Sequence, residues 1–195
     1  LYPITKAEYQ AGSVPTPAQL FSHSDQSVVW QQTRADAPDR RGWGGRLAAM
    51  FYASNTNPQL SMNISIDGEN VFQAGDEVIP YFVGQGGAEG IWYVEPWQAD
   101  RRAAFIALRD AAHGNALQRQ FASVVRRSMN NQVMVNGALE GETPLTTTFP
   151  DTHLGRQLQM VARLIHVRNT LQMQRQIFFV GLGGFDTHDN QLADQ

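Results

Sequence analysis

The strongest constraint on what this chain folds into lies near its end, in Gln176-Ile177-Phe178-Phe179-Val180-Gly181-Leu182, a run that is apolar on both faces. Such a run suits a strand inside a covered, mostly parallel sheet, where both faces are packed and alternation disappears. Just before it, Leu154, Leu158, Val161, Leu164 and Ile165 recur at helical spacing, so an amphipathic helix of about four turns feeds into the strand. Helix followed by buried strand is the grammar of an α/β domain.

The upstream chain adds elements to that frame. Leu60, Met62, Ile64 and Ile66 alternate with Ser61, Asn63 and Ser65, the two-residue period of a half-buried strand. Asp67-Gly68 tolerates the backbone of a tight turn, and residues 70–73 are placed to return as a partner strand, which predicts a β-hairpin. Two short strands are expected over 78–83 and 91–94. The glycine-rich segment between them lacks the lysine and spacing of a phosphate loop and reads as a turn. Helices are expected over 24–32, 46–52, 100–113 and 116–135, with Asp100 capping the third and Leu117, Phe121, Val124, Val125 and Met129 sharing one side of the fourth. The arginines of the last two helices read as a solvated face. Residues up to Pro17, and 137–152, read as coil.

Composition narrows the function. At 195 residues the chain is sized for one domain, and 42% hydrophobic with 17% charged residues is a globular balance. Fifteen basic against eighteen acidic residues, net −3, give no pull toward a phosphate backbone, so no nucleic-acid partner is expected. The absence of cysteine removes thiolate nucleophiles, disulfides and Cys-type metal sites, leaving oxygen and imidazole as ligands. The longest uncharged apolar stretch, 177–185, is about half of the ~20 residues a spanning helix needs, so no membrane span is expected. The first residue is Leu1 rather than methionine and the sequence carries no export signal ahead of it, so any leader is expected to have been removed or not included.

Two segments carry candidate chemistry. Gly183-Gly184-Phe185-Asp186-Thr187-His188-Asp189-Asn190-Gln191 follows the buried strand at its carboxyl end, where open α/β sheets place ligands. Asp186 and His188 are two residues apart and point the same way in an extended segment, so a carboxylate and an imidazole converge on one divalent cation. The plain alternative is that Asp186 caps a following helix and His188 is an ordinary loop histidine. The pair supplies two ligands, and a catalytic metal takes at least three from protein. The second segment is Ser22-His23-Ser24-Asp25-Gln26, where a serine at a helix start meets the positive dipole end and exposed amides, a setting for a nucleophile. Its alternative is simple capping by Ser22 or Ser24. His113, His153 and His166 read as structural.

At these residues the sequence resembles a bacterial family, domain of unknown function 1501, grouped with the alkaline phosphatase and sulfatase superfamily. The resemblance rests on residues 183–191, on Phe21-Ser22-His23-Ser24-Asp25-Gln26 with Trp30-Gln31, and on Gly42-Trp43-Gly44-Gly45-Arg46-Leu47. It implies a fragment of an alkaline-phosphatase-like three-layer α/β domain, with a mostly parallel sheet and a hairpin insertion, spanning 1–195 and incomplete at both ends relative to the family. The family's first strand, with a Gly-Gly-x-Asp-Gly type segment, and its final Ser-Asp-His-Gly type block do not occur in this chain. The resemblance further implies two divalent ions, zinc or manganese, at a phosphate or sulfate ester. Asp186 and His188 would ligate one, and Ser22, or failing that Ser24, would be the nucleophile. Partners would be a small-molecule or polymer ester and the remainder of the polypeptide, and the address periplasmic or extracellular. The competing expectation is a noncatalytic secreted scaffold or binding protein on the same fold.

Overall fold

A computed structural model describes residues 4–16, 19–34, 41–186 and 191–194. Helices α1 (Lys6–Ala11), α2 (His23–Gln32) and α3 (Trp43–Phe51) lead through a short 3-10 turn to strand β1 (Asn63–Ser65). Strand β2 (Tyr81–Phe82), helices α4 (Ala99–Asp110), α5 (Ala116–Glu140) and α6 (His153–His166), strand β3 (Ile177–Phe179) and helix α7 (Gln191–Asp194) follow. The strands form one sheet in the order β2-β1-β3. Both pairings are parallel, with Ile64 opposite Tyr81 on one side and Phe178 on the other. The α/β class expected from the sequence is therefore present, as a small parallel sheet among helices.

Ile64, fully buried on the central strand, anchors the core. Ala48 of α3, Val135 and Leu139 of α5, and Met160 and Leu164 of α6 join it, with Leu171 and Met173 from the segment entering β3. The expected α6 helix is present, but its buried face is shifted from the predicted one: of Leu154, Leu158, Val161, Leu164 and Ile165 only Leu164 is buried, while Leu158 (42%) and Ile165 (43%) are exposed. Thr152 caps this helix by accepting from the Gly155 amide, and its buried stripe holds Gly155, Gln157, Met160 and Leu164.

Several expectations are corrected. No hairpin forms at Asp67-Gly68: Gly68 does turn, at φ +74°, but β1 pairs in parallel on both sides and residues 70–73 form a turn. Side-chain amides replace the ladder there. Asn63 Nδ2 donates to Gln73 O (3.0 Å), and Gln73 Nε2 donates to Ile64 O (3.1 Å) and Ile177 O (3.0 Å). The alternation from Leu60 to Ile66 misleads for the same reason. Asn63 and Ser65 are as buried as Ile64, and the donor of each side chain finds a local carbonyl, Ser65 Oγ donating to Gly68 O at 2.6 Å and Asn63 Nδ2 to Gln73 O. Conversely, the apolar run at 176–182 yields a half-buried strand at the edge of this sheet rather than its middle.

Residues 91–94 form a turn rather than a strand, and only Tyr81 and Phe82 of the 78–83 segment pair. Helix α3 begins earlier than predicted, at Trp43 behind Gly42 as its N-cap. Its glycines allow backbone contact that a side chain would forbid: a Cβ on Gly45 would lie 1.9 Å from Ala74 O. Helix α4 starts behind Gln98, with Asp100 in its first turn and no side-chain cap. Helix α5 runs through Gly137 to Glu140, into the predicted coil. Near the start, Thr5 and Glu8 form a reciprocal capping box that sets α1 in a stretch read as coil. None of the described helices is long and apolar enough to cross a membrane.

Candidate functional site

The carboxyl ends of β1 and β3 meet at Asp67 and Gly181, and one side chain from α6 locks them together. Gln157, fully buried, accepts from Gly181 N through Oε1 (2.9 Å) and donates to Gly181 O through Nε2 (3.0 Å), imitating a strand partner. The same Nε2 donates to Asp67 Oδ1 (3.1 Å), and Asp67 Oδ2 presses so close to Gly181 that a Cβ there would stand 1.8 Å away. His153, the first residue of α6, adds its Nε2 at 3.4 Å from Asp67 Oδ1, while its Nδ1 lies 3.0 Å from Gln85 Nε2.

From this lock the chain leaves β3 through residues 182–186, exposed, with Gly184 at φ +90°. Residue 186 lies beside the start of α2. Asp186 Oδ2 lies 3.3 Å from His23 Nδ1, with side-chain exposures of 57% and 77%. Ser22 is the N-cap of α2: its Oγ accepts from the Asp25 amide (3.3 Å) and lies 3.1 Å from Ser24 Oγ. Helix α2 is tied to the rest of the fold at its other end. Gln31 Oε1 accepts from Phe72 N (2.8 Å), and Arg46 Nη2 donates to Gln32 O (2.7 Å) and Thr33 Oγ1 (3.0 Å). The two candidate segments, about 160 residues apart in sequence, are thus neighbours in space.

No known protein family model, curated protein or solved structure matches this chain.

His188, one of the two predicted ligands, lies outside the described residues. Asp186 is described, and the imidazole beside it belongs to His23. Ser22 performs the capping role weighed against its nucleophilic one; the two roles use the same oxygen but not the same hydrogen, since a cap accepts through a lone pair. Among the described residues no group of three His, Asp or Glu side chains gathers in a way that would hold a metal ion.

The donor chemistry can still be tested against a cation. Two ligand atoms bound to one tetrahedral ion at bonds of about 2.0–2.1 Å stand about 3.3–3.4 Å apart. The Asp186 Oδ2 to His23 Nδ1 distance of 3.3 Å fits that separation, and a carboxylate with an imidazole is a donor pair suited to zinc or manganese. Sequence reasoning named His23 within its segment but assigned it no role. The partnership is long-range and leaves no periodic trace. Asp67 and Gln157 were missed altogether and His153 was read as a structural loop residue, although Asp67 directly follows an alternating run that points at a strand end.

Proposed function

We propose that this chain contributes part of the site of a metal-dependent phosphate- or sulfate-ester hydrolase with an alkaline-phosphatase-like fold. The observation that carries the reading is the contact between Asp186 and His23, which joins the two segments on which the family resemblance rests. The parallel sheet supports it, because the acid follows a strand's carboxyl end.

Asp186 and His23 would hold a divalent cation, joined by His188 and by ligands from segments that the resemblance places outside 1–195. Such a cation neutralises charge on the ester's non-bridging oxygens when bound. The chain's own contribution is placement. Ser22, or Ser24 beside it, presents a hydroxyl at the positive end of the α2 dipole, which lowers the free energy of the attacking alkoxide. The hydroxyl gives its proton to water as Oγ bonds to phosphorus or sulfur, the ester oxygen leaves on the opposite side and takes a proton from water, and a second water then cleaves the Oγ bond to release phosphate or sulfate and restore the serine.

The test is metal analysis of the polypeptide carrying those further segments, paired with hydrolysis of p-nitrophenyl phosphate and p-nitrophenyl sulfate. Stoichiometric zinc or manganese, lost together with hydrolysis in Asp186→Ala and in the His23→Ala/His188→Ala pair, is the expected result. Ser22→Ala and Ser24→Ala then separate the nucleophile from its neighbour by which one abolishes turnover while keeping metal. A metal-free, inactive, folded protein would sink the hydrolase and leave the noncatalytic scaffold.

A further inference from the structure

Helices α4 and α5 cross to form an open apolar groove of about 400 Å³, far from the segments discussed above in sequence, between Phe105 and Leu108 on one wall and Leu117, Phe121 and Val125 on the other. Its apolar side chains face outward: Leu108 is 70%, Leu117 79% and Phe121 71% exposed. The sequence pattern put Leu117 and Phe121 on one side of the helix with Met129. Only Met129 of these three is buried. An apolar strip of this kind on a surface marks a binding site.

A second hollow, lined by Arg119, Arg126 and Ser123, adjoins the groove and shares Arg109, His113 and Ala122 with it. Its charge is one-sided. Asp110 beside the hollow accepts from Arg109 Nε (2.8 Å) and Nη2 (2.7 Å) and from Arg126 Nε (3.2 Å) and Nη2 (2.6 Å), so both of these guanidinia already turn a fork onto it. Those guanidinia hold its carboxyl well below the usual carboxylate range. Arg119 brings a third guanidinium, fixed at the rim by Nη1 donating to His113 O (3.1 Å) and Gly114 O (3.0 Å). Three guanidinia against one carboxylate leave the hollow cationic beside an apolar slot.

We propose that the α4–α5 groove binds a free single-chain anionic amphiphile, a fatty-acid-like carboxylate, with its chain along Leu108, Leu117 and Phe121 and its head against Arg119 and Arg126. The volume argues for a small molecule, since such sites span about 300–1,000 Å³ and combine an apolar lining with a few polar groups. The charge argues for an anion. Arg119, engaged only through Nη1 with two carbonyls, carries the fork that matches a carboxylate in geometry as well as sign, and Arg126, paired with Asp110, adds charge beside it.

The probe is dodecanoate below its micelle concentration, titrated calorimetrically into the full chain, with dodecyltrimethylammonium as the cationic control of equal chain length. Saturable one-to-one binding of dodecanoate is expected, weakened at least about tenfold by Phe121→Gln, and likewise by Arg119→Gln with Arg126→Gln. Leu117→Gln serves as the second groove variant. These side chains lie at the surface, and circular dichroism checks that each variant keeps its helix content. Equal affinity for the cationic control, indifference to the substitutions, or no saturable binding would overturn the proposal. So would a chain that is dimeric through this face, or one captured only by anionic vesicles.

Discussion

Gly181 shows how one missing side chain organises the edge of a sheet. Its backbone is gripped by Gln157 on one side while Asp67 Oδ2 occupies the space where a Cβ would project. Alanine there cannot be accommodated without displacing the Asp67 carboxylate from Gln157, since overlap at 1.8 Å is far inside contact distance. Gly181→Ala is expected to cost about 1–3 kcal/mol in urea unfolding. Adding Asp67→Ala should return part of that loss, because the smaller side chain vacates the collision. A double variant less stable than Gly181→Ala alone would show that the acid stabilises more than it obstructs. The same residue explains why the site was hard to read. Gly181 is one glycine inside an apolar run, and nothing local signals that a carboxylate 114 positions earlier requires it.

At the scale of elements, legibility follows how much of an element's reason for existing is local. Helix α6 was legible as a helix from its apolar spacing, but its buried face was not, because Gly155 and Gln157 pack inward where the pattern pointed to Leu158 and Ile165. Strand β1 was located but assigned the wrong neighbours, since Asn63 and Ser65 look solvent-facing until the bonds from Asn63 Nδ2 to Gln73 O and from Ser65 Oγ to Gly68 O are seen. The α1 capping box was visible as Thr5 and Glu8 at the right spacing, yet the surrounding glycines and prolines outweighed it. The two candidate segments were named from the sequence and their meeting was not, because His23 and Asp186 are joined by the fold alone. One prediction belongs here. Gln73 supplies donors to main-chain carbonyls of both β1 and β3, so Gln73→Leu removes partners from buried polar groups and should cost on the order of 1–3 kcal/mol. Hydrogen exchange should show the loss in both strands together. Loss confined to the 70–73 turn would mean that the amide fastens only its own loop.

The whole molecule carries its charge in an unusual form that makes its alkaline behaviour simple to interpret. The chain has a single lysine, Lys6, no cysteine and five tyrosines, and arginine stays protonated throughout. Above pH 9, proton release from side chains is therefore almost wholly a tyrosine signal, readable by phenolate absorbance. Tyr81, on β2 opposite Ile64, is pushed up to about 12 because burial penalises the phenolate. An unfolded tyrosine titrates near 10, so the folded state keeps this proton more tightly than the unfolded state does. Stability from this difference is complete below about pH 10 and is lost as pH rises toward 12. Unfolding should accordingly release protons between pH 10 and 12, with a denaturation midpoint that falls across this window. In Tyr81→Phe, which keeps the ring and removes the hydroxyl, the fall should be shallower and one slow-titrating phenol should disappear from the absorbance curve. If the slope is unchanged, another tyrosine governs the alkaline limb, and the β2 edge is more open to water than its packing against β1 implies.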